Sequence, residues 1–93
     1  MPAERKIGKI EYGTKFLRSL DKLPIDIQRK AGAREEIFKA NAFDPRLDTH
    51  KLHGKDVDKW AYSVDYDYRI KFVFLKDDTI LYVDIGTHDE MYR

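Results

Sequence analysis

Between Lys15 and Ala42 the apolar side chains recur at helical spacing, and between Trp60 and Ile85 they alternate at period two. That change of period, inside a chain of only 93 residues, constrains the fold more than any other feature. A chain this short buries only somewhat over ~60% of its surface and has room for one core. The apolar stripe of the helices and the apolar face of the strands must therefore share that core. The fold class that follows is α+β, an N-terminal strand and a two-helix hairpin packed on a mainly antiparallel sheet, as a single domain over residues 1–93.

Residues 6–12 put Ile10 and Tyr12 on one side and predict a short first strand, after which Gly13 and Thr14 offer a turn and an N-cap. Phe16, Leu17, Leu20 and Leu23 fall on one helical face, with Lys15, Arg18, Asp21 and Lys22 elsewhere. Pro24 ends this helix or starts the next. Over residues 25–42, Ile27, Ala31, Phe38 and Ala42 lie near one face, with Gly32 the least helical residue of the stretch. Residues 41–59 hold Pro45 and Gly54 with no sustained period and predict a long ordered loop. Beyond it, Trp60, Tyr62, Val64 and Tyr66 alternate with Ala61, Ser63, Asp65 and Asp67, a half-buried strand. Residues 69–76 and 79–85 predict two more strands, joined at Asp77-Asp78 by a hairpin turn. The tail from Gly86 is polar and too short for an element. The packing expected is the helical hairpin across one sheet face, burying Leu17, Leu20, Ile27 and Phe38.

Composition narrows the chemistry. Five Phe, six Tyr and one Trp are too many for a disordered chain. The absence of cysteine excludes disulfides, thiolate metal sites and a Cys nucleophile, and it suits a reducing compartment. Eighteen Lys and Arg against 17 Asp and Glu leave a net charge of +1, which does not by itself call for a polyanion. The charge is polarised all the same: ten basic and six acidic side chains in residues 1–43, four basic and seven acidic in residues 60–93. Apolar runs reach only four residues, as in Phe72 to Leu75, so neither a signal peptide nor a membrane span is expected.

No Walker loop, GxGxxG, HExxH or GxSxG is present. Three histidines, His50, His53 and His88, fall in segments predicted as loop or tail. Solvated loop residues are the plainest account of them. His50 and His53 with Asp48, Asp56 or His88 form a weaker case for a metal site, because tight zinc sites usually draw on cysteine or a helical pair. Asp65, Asp67 and Arg69 share a face if the strand alternation holds. They make either a surface ion-pair ladder or an arginine able to grip a phosphate bidentately. The basic residues of the helical hairpin, Lys15, Arg18, Lys22, Arg29, Lys30, Arg34 and Lys39, are interleaved with acids and leave a phosphate-tracking face and a solvated face equally open.

Several segments taken together resemble a family. They are Phe16-Leu17-Arg18-Ser19-Leu20-Asp21-Lys22-Leu23-Pro24, the loop His50-Lys51-Leu52-His53-Gly54, Asp67-Tyr68-Arg69-Ile70 within the strand pair, and Gly86-Thr87-His88-Asp89-Glu90-Met91-Tyr92. In the same order over nearly the whole chain, they resemble the RelE/ParE superfamily of bacterial type II toxins, and within it the RelE/StbE and YafQ-like messenger-RNA interferases. The resemblance implies a cytoplasmic endoribonuclease that cuts messenger RNA on the ribosome without metal or other cofactor, and a cognate antitoxin. Position by position it assigns the catalytic roles to His50, Asp67, Arg69, His88 and Tyr92, and substrate contacts to Lys51, His53 and Lys55. Arg69 would stabilise the transition-state phosphate, the two histidines would share base and acid roles, Asp67 would orient one of them, and Tyr92 would position a base. His53 stands where the family commonly has lysine, and the near-neutral charge fits equally the ParE-like branch, which binds DNA gyrase, or a silent relative that only binds its antitoxin.

Overall fold

Asp77 and Asp78 both adopt left-handed backbone, with φ of 58° and 55°. A two-residue hairpin turn needs positive φ at both central positions to match the twist of its strands, and aspartate tolerates that region better than most residues. The structure, a computed structural model, describes residues 4–91. This turn joins β4 (Tyr68–Phe74) to β5 (Thr79–Thr87) in the longest ladder of the sheet, with a bulge between Lys71 and Phe72. The carbonyl of Asp78 also accepts from the amides of Gly8 and Lys9, which docks β1 (Lys9–Tyr12) alongside β5 in parallel.

From β1 the chain passes through Gly13 into α1 (Thr14–Asp21) and, across Leu23 and Pro24, into α2 (Ile25–Ala40). Thr14 is the first helical residue, and Gly13 holds the N-cap position. Only glycine fits there: a Cβ would come within 2.7 Å of the Tyr82 carbonyl oxygen, which accepts from the Gly13 amide. The segment after α2 is not the structureless loop expected for residues 41–59. It holds 3-10 turns at Pro45–Leu47 and Gly54–Asp56 and a two-residue strand, β2 (His50–Lys51), paired antiparallel with β3 (Trp60–Ser63). The sheet order is β1-β5-β4-β3-β2, all antiparallel except β1 with β5.

Both helices cover one face of that sheet. Phe38 of α2 is fully buried against Tyr62, Phe72 and Tyr82, with ring centroids at 4.6, 4.9 and 6.1 Å. Phe16 of α1 meets Tyr82 at 4.9 Å. The two buried phenols satisfy one another through a hydrogen bond of 2.8 Å, and burial pushes both far above the ordinary tyrosine range. Of the four side chains expected inside, Ile27 and Phe38 are buried and Leu20 is half-buried, whereas Leu17 is 49% exposed. The two-turn helix α1 turns Phe16 to the sheet, and the next residue, some 100° around the helix, faces an open apolar groove between α1 and α2 with Leu20 and Gln28.

Two further expectations are corrected. The strand predicted over 60–67 stops at Ser63, because the Asp65 carboxylate accepts from the amides of Asp67 and Tyr68, both at 2.9 Å, and converts the segment to a turn. The tail is not without structure: β5 runs on through Thr87 and is followed by a helical turn, α3 (His88–Met91), whose Met91 is buried. Among the described residues no helix is long and apolar enough to cross a membrane.

The sheet face away from α1 and α2 carries the polar residues. In β4, Ile70 and Phe72 point to the helices, so Arg69 and Lys71 point the other way. The register aligns His50, Ala61 and Lys71 in one row across β2, β3 and β4, and Ser63, Arg69 and Gly86 in the next row across β3, β4 and β5.

Candidate active site

His50 enters this face from β2, directly after a strained residue. Asp48 has φ 49°, left-handed backbone that closes the first 3-10 turn and brings its carbonyl to 2.8 Å from His50 Nδ1. A carbonyl only accepts, so Nδ1 bears the proton and Nε2 is the basic nitrogen of the neutral ring.

Arg69 is fixed by the turn that interrupts the predicted strand. Its Nη1 donates to the carbonyls of Asp65, Tyr66 and Tyr68 at 2.7, 3.1 and 3.0 Å. The same turn holds Asp65 below its ordinary value: desolvation raises it, but the amides of Tyr68 and Asp67, with Lys30, outweigh that. Asp65, Asp67 and Arg69 therefore do not form the strand-face row expected, because two of them belong to a turn.

His88 opens α3. Its amide donates to the Asp67 carbonyl at 2.8 Å, and its Nδ1 lies 3.8 Å from an Asp89 carboxylate oxygen. Asp67 thus acts on His88 through its backbone. Thr87 and Glu90 hold the turn in a capping box: the Glu90 carboxylate accepts from the Thr87 amide and hydroxyl, and the Glu90 amide donates to the Thr87 oxygen.

These elements bring His50, Arg69 and His88 together with Asp48 around one open cleft of about 330 Å³. On one side it adjoins a hollow of about 390 Å³ that shares His88 and includes Asp67, Tyr68 and Asp89. On the other it adjoins a hollow of about 560 Å³ that shares His50 and includes Lys51, His53 and Lys55. Asp67 does not line the central cleft, and Tyr92 lies outside the described residues. Among the described residues no group of three His, Asp or Glu is placed to hold a metal ion. The arrangement offers one oriented imidazole base, a guanidinium and a second imidazole on a solvent-open surface, which suits chemistry on an extended anionic substrate.

No protein-family model matches the chain, and no curated protein matches it in sequence. Solved structures do match. The RelBE toxin–antitoxin complex of Mycobacterium tuberculosis superposes with a TM-score of 0.72 at 15% identity, over 92% of this chain and 98% of that one. The YoeB/ParE toxin of Agrobacterium tumefaciens gives 0.72 at 10% identity, over 87% and 99%. YafQ of Escherichia coli gives 0.67 at 15% identity, over 90% and 97%.

The chain has the RelE/ParE toxin fold.

Within this toxin fold, three groups that shape the cleft were not singled out by the sequence reading. The Thr87-x-x-Glu90 spacing of the capping box was present as a signal, hidden in a stretch that looked too short for an element. Asp48 stood out only as a possible metal ligand, whereas its backbone carbonyl is what orients His50. The ion pair of Asp56 with Lys71, at 3.0 Å, joins the second 3-10 turn to β4 across residues that no local pattern connects.

Proposed function

We propose that this chain is the toxin of a type II toxin–antitoxin pair and a ribosome-dependent endoribonuclease that cuts messenger RNA by attack of the 2′-hydroxyl on its own phosphate. The observation that carries this reading is the meeting of His50, Arg69 and His88 on one cleft of the helix-free face. In-line attack needs a base for the 2′-hydroxyl, charge on the crowded phosphate and an acid for the leaving oxygen. His50 Nε2 takes the 2′-hydroxyl proton as the new O2′–P bond forms. The bond from phosphorus to the 5′-oxygen breaks as that oxygen receives a proton from His88, leaving a 2′,3′-cyclic phosphate and a 5′-hydroxyl. With Nη1 tied to the turn carbonyls, Arg69 meets the phosphate through Nε and Nη2, a fork that still binds two oxygens. Lys51, His53 and Lys55 contact flanking substrate, Asp67 steadies His88, and Tyr92 positions a base.

A cognate antitoxin is part of the reading, supported by the likeness to toxins solved as antitoxin complexes, that of M. tuberculosis and a RelB–RelE complex of Methanococcus jannaschii. The net charge of +1 favours a second reading, a gyrase-directed or catalytically silent relative. Induced expression in bacteria separates the two. Mapping of messenger-RNA ends shows new cuts in translated messages under the first reading, while loss of gyrase-dependent supercoiling without new cuts supports the second.

A further inference from the structure

The hollow of about 560 Å³ beside His50 has a floor of Leu52 and Met91, each only 3% exposed, and Lys51 and Lys55 at its rim. Its wall includes the carboxylate of Asp56. One oxygen accepts from Lys71 Nζ at 3.0 Å and the other lies 3.6 Å from Lys59 Nζ, so the group is fixed in direction while about a quarter of the side chain remains exposed. The hydrogen bond from Lys71 holds it below the ordinary carboxylate range, which keeps it ionised and acceptor-only. An apolar floor with an aimed acceptor on one wall and cations at the rim matches a nucleobase with its flat face down and its phosphates outside.

We propose that this hollow is a guanine subsite in which Asp56 accepts from the N1–H and the exocyclic amino group of the base. Guanine presents two adjacent donors on its Watson–Crick edge. Uracil presents one donor between two carbonyl oxygens, which a carboxylate repels. Adenine and cytosine present one amino group beside a ring-nitrogen acceptor. The inference rests on the nuclease reading for its RNA substrate, but the base preference belongs to the hollow itself. It makes Asp56 the residue that sets which nucleotide lies next to the cut.

Two measurements test it and separate its failure from that of the nuclease reading. In the first, methyl resonances of the full chain are followed during titration with guanosine and uridine 5′-monophosphates. The guanine nucleotide is expected to move the Leu52 and Met91 signals and to bind about tenfold more tightly, because mismatched polar groups are penalised on burial. Asp56→Asn should bring the two within about threefold. Lys71→Gln, which keeps the carboxylate and loosens it, should lose part of the difference. Equal binding of the two nucleotides to the native chain, or no shift at either methyl, overturns the subsite, and this comparison needs no variant. In the second, single-turnover cutting on stalled ribosomes is compared for each base beside the cut, with a guanine preference expected in the native chain and absent in Asp56→Asn. Cutting with no preference overturns the subsite while the nuclease stands. Selective guanine binding with no cutting supports the subsite and overturns the nuclease.

Discussion

The hydrogen bond from His50 Nδ1 to the Asp48 carbonyl gives His50 and His88 unequal roles, although both line the cleft. If one accepts and the other donates the proton, the cutting rate is bell-shaped in pH, and His50→Ala or His88→Ala lowers it by roughly 10²–10⁴-fold with ribosome binding nearly unchanged. Arg69→Lys is expected to restore only part of what Arg69→Ala removes. A lysine has no fork, so it cannot hold the turn carbonyls and a phosphate together. Rates measured with the substrate already bound are the check. Acid stability is decided at this scale as well. Hydrogen bonds from Arg46 hold Asp44 down at about 2, and Asp56 and Asp65 are also lowered. A carboxyl whose folded value lies below its unfolded one stabilises the fold above the unfolded value and loses that contribution as pH falls through the folded one. Stability should therefore hold down to about pH 4 and decline toward about pH 2, more shallowly in Asp56→Asn, as followed by denaturant unfolding across that range.

At the scale of elements, the joint between β1 and α1 is the least tolerant position. Gly13→Ala would drive a Cβ into the Tyr82 carbonyl and is expected to destabilise the chain by about 1–3 kcal/mol, read from the shift in denaturant midpoint. Tyr82→Phe leaves the buried Tyr62 hydroxyl without its partner and should cost a similar ~1–3 kcal/mol. The elements that were legible in the sequence are those whose pattern is local and long. The β4–β5 hairpin announced itself by Asp77-Asp78 between two apolar runs, and α2 by its recurring Ile27, Ala31 and Phe38 despite Gly32. What was not legible depends on partners distant in sequence or on side chains competing with the backbone. The two residues of β2 are a strand only because β3 offers an edge, and Asp65 ended β3 by capturing two amides. Leu17 carried the right period and still faces solvent, because α1 is too short to bury more than one side of a turn. The site followed the same division. His50, Arg69 and His88 were nameable as residues, but their meeting required β2 and α3, neither of which the sequence pattern revealed.

Over the whole molecule, the two faces of the sheet carry different burdens. One is packed under the helices and supplies the stability, and the other is open and polar and holds the cleft. The basic excess of residues 1–43 lies on the helical side, which suits an acidic, partly disordered antitoxin segment covering those helices or displacing the C-terminal tail. Reversing Arg18, Arg29, Arg34 and Lys39 one at a time should weaken antitoxin affinity, and unchanged affinity in all four argues against a helical site. With a net charge of only +1, binding of free RNA should be weak with a shallow salt dependence, and the ribosome should supply the substrate. Rapid cutting of naked messenger RNA at physiological salt would contradict that. The most direct test of the central claim is single-turnover cutting of messenger RNA on stalled ribosomes by the native chain and by His50→Ala, His53→Ala, Arg69→Ala and His88→Ala. The account predicts cutting by the native chain, roughly 10²–10⁴-fold slower cutting for the changes at His50, Arg69 and His88, and a smaller effect at His53. Unaltered rates for both Arg69→Ala and His88→Ala would contradict it.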